Sequence, residues 1–232
     1  MPTSDSPVLI ITGASTGIGA ATARAAATEG WRLVLAARSQ DKLETLTDEL
    51  GGADAALAVQ CDVTEWDQQQ ALVAKALDAY GRIDAFFANA GFGAGRGFLE
   101  ESPEHWRAMV DTNVYGAALS FRAALGHFRE QGAGHVLVTG SVAGRKVMPG
   151  SLYSATKWAV HAMADGLRQE VADTGIRTTI VAPGKVDTPF FDDPVEDALQ
   201  PEDIARAVVY ALSQPAHVNV NEVLIRPVGQ PN

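Results

Sequence analysis

Short apolar runs rich in valine, isoleucine and leucine recur along the chain: VLII from residue 8, LVLAA from 33, ALAVQ from 56, IDAFFA from 83, HVLVTG from 135, RTTIVA from 177 and EVLIR from 222. Each is short enough for a strand and too continuously apolar for one with a face in water, so the pattern predicts strands covered on both sides. Between most of them lie stretches of helical periodicity, among them QDKLETLTDEL from 40, the segment from Glu65 to Tyr80, and the run opening at Ser102-Pro103-Glu104. Ser102 suits an N-cap and Pro103 the first helical position, where a missing N–H costs nothing. Strands alternating with helices are joined as parallel neighbours through right-handed crossovers. The expected fold class is therefore α/β, a Rossmann-type doubly wound parallel sheet of about seven strands with helices on both faces.

A chain of 232 residues suits a single domain over 1–232, with a polar N-terminal tail at 1–7 and a mobile substrate loop at 188–200. That loop, TPFFDDPVEDALQ, mixes proline, aspartate and adjacent aromatics without a clear period. Composition removes several function classes. Acidic residues outnumber basic ones, 28 to 18, for a formal charge of -10, which disfavours a nucleic-acid or anionic-membrane surface as partner. Cys61 is the only cysteine; it allows no intrachain disulfide or thiolate zinc cluster and is expected to be a buried residue at a strand end. His105, His127, His135, His161 and His217 have no metal-ligand spacing, so no metal is expected and structural or surface roles are. The opening MPTSDSP lacks a basic start followed by an apolar run, and no window of ~18 apolar residues follows, so a cytoplasmic, reducing location is the expectation.

Directly after the first predicted strand comes TGASTGIGAATARAAA, with Gly13, Gly17 and Gly19 opening an alanine-rich helix. A glycine turn between a buried strand and a helix lets backbone N–H groups and the helix N-terminus approach a pyrophosphate. Dinucleotide folds carry an acidic residue about 20 positions further on, at the end of the second strand, to bind the ribose hydroxyls. Here that place holds Ala37, followed by Arg38. A small residue and a guanidinium make room for a 2′-phosphate and clamp it, so the site favours NADP(H) over NAD. Ser39 either adds a hydroxyl contact or caps the helix from Gln40.

The stretch YSATK places Tyr153 and Lys157 at i and i+4 of a predicted helix, where both head groups reach one small volume. With these pieces together, the sequence resembles the short-chain dehydrogenase/reductase family in its compact branch, over nearly the whole chain. TGASTGIG is similar to the family's cofactor loop, carrying Gly13, Ser15, Thr16, Gly17, Ile18 and Gly19. CDV at 61–63 is similar to the adenine-contacting segment, implying Asp62 and Val63. ANAG at 88–91 resembles the NNAG turn, with Ala88 departing and Asn89, Ala90 and Gly91 matching. NVYG supplies Asn113, SVAG supplies Ser141, and PGKVDT matches the segment over the nicotinamide through Pro183, Gly184, Val186 and Thr188.

The resemblance implies that Tyr153 exchanges a proton with a carbonyl or alcohol, that Lys157 tunes it and binds the nicotinamide ribose, that Ser141 stabilises the substrate oxygen, and that Asn113 holds a water joining Lys157 to solvent. It also implies a homodimer or homotetramer. A cation about 4 Å from the phenol at an effective dielectric of ~20 contributes roughly 4 kcal/mol, or about three pKa units, so a phenol titrating near neutrality is expected. Arg96, Arg145 and Lys146 could reach an anionic substrate or be solvated loop charges; Phe190 and Phe191 could close over substrate or pack against the domain. On the helix after Lys157, the positions Ala159, Val160, Met163 and Leu167 suit core or interface. A non-catalytic NADP(H)-binding redox-sensing regulator is the rival class, disfavoured by the joint presence of Asn113, Ser141, Tyr153 and Lys157. An epimerase or dehydratase with a longer substrate-binding portion is disfavoured by the short stretch expected after the last strand.

Overall fold

The computed structural model describes residue 3 and residues 5–191 and 193–230; residues 1, 2 and 4 of the expected tail, Asp192 of the expected loop and residues 231–232 lie outside the described residues. Its elements run β1 (Val8–Thr12), α1 (Gly17–Thr28), β2 (Arg32–Ala37), α2 (Gln40–Glu49), β3 (Ala56–Gln60), α3 (Trp66–Tyr80) and β4 (Ala85–Ala88). They continue through α4 (Pro103–Val110), a π-helical turn (Asp111–Gly116), α5 (Ala117–Gln131), β5 (Gly134–Thr139), a 3-10 turn (Val142–Gly144), α6 (Leu152–Glu170), β6 (Ile176–Pro183), α7 (Pro201–Leu212) and β7 (Glu222–Ile225). All seven predicted apolar runs are strands. They form one sheet in the order β3-β2-β1-β4-β5-β6-β7, each neighbouring pair parallel. Strand order reverses between β1 and β4, which opens a crevice at the carboxyl ends of the strands.

Successive strand residues point to opposite faces, and both faces are covered. On one face Val8, Ile10, Val34, Phe86 and Val136 pack against Leu72 of α3, Phe121 and Phe128 of α5, and Val160 and Leu167 of α6. On the other, Leu9, Ile11, Leu33, Leu35 and Phe87 meet Ala23 of α1, Leu43 of α2, and Ile204 and Val208 of α7. Of the expected α6 positions, Val160 and Leu167 are core and Met163 packs at its margin, whereas Ala159 is half-buried outside the cluster. Ser102 caps α4, its Oγ accepting from the His105 N–H at 3.1 Å, with Pro103 at the first turn. Cys61 follows β3 and is buried, its thiol pushed up to about 11 by desolvation and so chemically quiet. Among the described residues no helix is long and apolar enough to cross a membrane.

Candidate active site

The turns leaving β1 to β6 line a cavity of about 840 Å³. Its first half is built by the glycine turn. Gly13 and Gly17 have φ of +63° and +53°, a left-handed conformation that side chains resist. A Cβ on Gly19, within α1, would stand 2.2 Å from the Gly13 carbonyl oxygen, so helix and turn come this close only without one. Gly13, Ser15, Thr16, Gly17 and Ile18 line the cavity, whereas Gly19 supports the turn from behind. Thr16 stands at the N-cap without a side-chain cap, and no acidic residue sits in the first turn of α1, leaving its terminal N–H groups available to an anion.

At the mouth of β2, Ala37, Arg38 and Ser39 line the same cavity. The Arg38 guanidinium has no partner among the described residues. Ser39 makes no side-chain cap to α2, so of its two expected roles the cap is not realised. Asp62 and Val63 also line the cavity, with Asp62 Oδ1 accepting from the Thr64 N–H at 3.0 Å and from its hydroxyl at 2.7 Å. Asn89, Ala90, Gly91, Pro183, Gly184, Val186 and Thr188 complete this wall. Asn89 is a staple as well as a wall: its amide donates to the carbonyls of Thr12 at 3.1 Å and Gly13 at 3.3 Å, and its Oδ1 accepts from the Thr139 hydroxyl at 2.8 Å. A backbone cradle, a committed staple and an uncommitted cation together fit a nicotinamide dinucleotide.

The second half holds Ser141, Tyr153 and Lys157. Ser151 caps α6, accepting from the Ser154 N–H at 3.1 Å, and this sets Tyr153 in the first helical turn and Lys157 one turn below. Ser141 lies just past β5 and faces the same cavity as the phenol, whose pKa it lowers. Lys157 is buried, its Nζ 5.7 Å from the centre of the Tyr153 ring and donating at 2.8 Å to the Thr139 carbonyl. The expected near-neutral phenol is not found: burial pushes Tyr153 up to about 12, outweighing the lowering by Ser141. The ammonium is aimed at a carbonyl rather than at the phenol oxygen, and burial pulls Lys157 itself down to about 8.

Asn113 is placed differently from expectation. It is buried in the π-helical turn behind Gly91, whose added Cβ would lie 2.9 Å from Asn113 Oδ1, and it does not line the cavity. Both of its amide hydrogens are committed, to the Phe92 carbonyl at 2.9 Å and the Thr156 hydroxyl at 3.2 Å, and its Oδ1 accepts from the Phe92 N–H at 3.0 Å. The side chain therefore ties the β4 turn to α6. Arg145 and Lys146 do not line the cavity either; Arg145 is held by Glu222 through two bonds, 3.0 and 2.6 Å. Arg96, Phe190 and Phe191 do line it, and Phe190 stands edge-on to Tyr153 with centroids 5.4 Å apart.

A family profile described as short chain dehydrogenase matches residues 7–198. The chain belongs to that family. Among similar proteins, an uncharacterised oxidoreductase of Staphylococcus haemolyticus is 48% identical over 225 residues, covering 95% of this chain and 97% of the relative. An alcohol dehydrogenase from Thermococcus sibiricus, complexed with 5-hydroxy-NADP, superposes with a TM-score of 0.89 at 34% identity over 98% of this chain and 99% of that one. A serine dehydrogenase from Escherichia coli reaches 0.88 at 32% identity, over 97% and 100%. This short chain dehydrogenase is thus an oxidoreductase with a site suited to a nicotinamide dinucleotide. Sequence reasoning missed two of its positioning groups: Thr139, whose carbonyl receives Lys157, and the backbone of Phe92, which receives Asn113. Neither carries a sequence signal, because both act through main-chain atoms.

Proposed function

We propose that this short chain dehydrogenase reduces a ketone or aldehyde to an alcohol, or runs the reverse, with NADP(H) as hydride carrier and Tyr153 as proton donor or acceptor. The observation carrying this reading is the clustering of Ser141, the Tyr153 phenol and a buried ammonium at one end of a cavity whose other end is a glycine turn beside Arg38. When bound, the dinucleotide supplies or accepts the hydride. The chain's own residues do the rest. A phenol held up near 12 is fully protonated at neutral pH and ready to donate to the oxygen of a carbonyl gaining charge. The Ser141 hydroxyl, beside it, stabilises that developing charge. Lys157, mostly protonated at pH 7, adds a nearby cation in a dry site, where charge acts more strongly than in water.

Arg38 is the clamp for a 2′-phosphate, and the lack of a carboxylate at Ala37 removes the group that would repel one. The relatives crystallised with NADP or a derivative support this preference, as does a serine dehydrogenase complexed with NADP+ at 31% identity. In this reading residues 1–232 act as one domain, Asn113 holds the β4 turn in place, and the substrate enters past Arg96, Phe190 and Phe191. A redox-sensing regulator would have no use for the phenol. Tyr153→Phe tests the reading: turnover of NADPH with a panel of aldehydes and diketones should fall at least ~10³-fold while NADPH affinity stays within a few fold. Retained reductase activity in that variant would remove Tyr153 from the chemistry.

A further inference from the structure

His161 lies one turn beyond Lys157 on α6 and two beyond Tyr153, on the same inward stripe. It is buried, at 3% exposure, directly beneath the turn that carries Ser141. Two glycines make its slot. A Cβ on Gly140 would stand 2.3 Å from His161 Nε2, and one on Gly144 2.7 Å from its Cδ2. The ring thus fills the space under the segment from 140 to 144, and the main chain of that segment rests on it. The Ser141 N–H donates to His161 Nε2 at 3.2 Å.

That bond fixes the tautomer. An Nε2 that accepts leaves the hydrogen on Nδ1. Nδ1 is buried and makes no hydrogen bond, and the nearest acidic atom is Glu222 Oε1 on β7, at 3.8 Å. Glu222 is in turn gripped by Arg145, the residue that follows the 3-10 turn, through both carboxylate oxygens. The contacts therefore close a ring: the Ser141 turn to Arg145, Arg145 to Glu222, Glu222 to His161, and His161 back to the Ser141 main chain. Among the described residues, Lys157 and Asp165 are the other charged groups acting on the imidazole.

We propose that His161 is a positioning residue for Ser141, holding its N–H so that the hydroxyl faces the phenol, with the Arg145–Glu222 pair set against the Nδ1–H side of the imidazole. The inference rests on the reading of Tyr153 and Ser141 given above. Ser141 has an extended backbone, φ −173° and ψ 156°, and its Oγ already accepts from the Ala143 N–H at 3.1 Å. Its main chain thus needs an outside anchor to keep the hydroxyl hydrogen free for the cavity, and the imidazole nitrogen is that anchor. Burial keeps the ring neutral, pulling it down to about 4, so it accepts throughout the neutral range.

The test compares His161→Phe, which fills the slot without an acceptor, with His161→Gln, whose amide oxygen can still accept. In carbonyl reduction with NADPH, His161→Phe should lower kcat by about 10- to 100-fold with the KM for NADPH within about threefold, as expected of a displaced catalytic hydroxyl. His161→Gln should recover most of that loss. Independently of turnover, the imidazole ¹⁵N spectrum of the free protein should show His161 as the Nδ1–H tautomer, and Glu222→Gln should shift its Nδ1 resonance. Should His161→Phe fail to fold, His161→Gln and the spectrum still decide. An Nε2–H tautomer, or a kcat within twofold of wild type in His161→Phe while Tyr153→Phe is inactive, overturns the positioning role alone. An active Tyr153→Phe overturns the proposed function, and the role of His161 with it.

Discussion

The two ends of the cavity are built on different principles. At the dinucleotide end the shape is backbone: Gly13 and Gly17 take conformations that other residues resist, and Gly19 permits a contact that a methyl group would block. At the catalytic end the shape is side chain: Tyr153, Lys157 and His161 descend one face of α6, and their behaviour is set by what buries them. The first kind of site is tolerant of its surroundings, because a glycine turn between β1 and α1 works wherever that unit folds. The second depends on elements remote in the chain. Phe190 stands against the Tyr153 ring, the Thr139 carbonyl accepts a hydrogen bond from Lys157, and Glu222 faces His161.

This contrast can be broken most severely at Lys157. Lys157→Met removes the buried ammonium beside Tyr153 and should cost at least ~10³-fold in kcat, read by steady-state reduction, because both charge and cofactor orientation are lost. Gly19→Val attacks the other end. Its side chain would drive into the Gly13 carbonyl, so NADPH affinity should fall about 100-fold or more by fluorescence titration, whereas the apolar layers far from the turn stay intact. Arg38→Asp combined with Ala37→Gly should reverse the coenzyme ratio by about 10- to 100-fold toward NADH in kcat/KM, the worth of a charged hydrogen bond plus a repulsion.

The α/β plan was legible because strands buried on both sides leave continuous apolar runs, and all seven are visible by eye. The glycine turn, the Tyr153 and Lys157 pair and the empty acidic place at Ala37 were legible because they depend on spacing or on residue identity. Protonation was not, since it depends on desolvation: reading a cation one helical turn from a phenol predicts a pKa near neutrality, but burial raises it instead. The same holds for Asn113. A π-helical turn inside an otherwise regular helix leaves no mark on the hydrophobic period, so nothing in the sequence announced that its amide would be spent on Phe92 and Thr156. Arg145 read as a loop charge because its partner Glu222 belongs to the last strand.

Two smaller effects sharpen the comparison. Phe190→Ala uncovers the phenol ring and should lower the alkaline limb of alcohol oxidation by about one pH unit, by relieving desolvation. Stability should respond to the buried histidines. His135 and His161 are held down to about 3 and about 4, against an ordinary value of 6.5. Above pH 6.5 both are neutral folded or unfolded. Below it the unfolded chain takes up protons that the folded protein refuses, so stability falls as pH drops from 6.5 toward 4, by up to about 1.4 kcal/mol per pH unit for each histidine. Urea unfolding of wild type and His161→Gln across that range should show the shallower slope in the variant.

The decisive measurement is a phenolate absorbance titration of the free protein, wild type minus Tyr153→Phe. If burial rather than the Lys157 charge governs the phenol, the difference curve stays flat through neutrality and up to the ordinary tyrosine range, and any step lies near pH 12. A step near pH 7 would contradict that, and would return Lys157 to the role of lowering the phenol pKa.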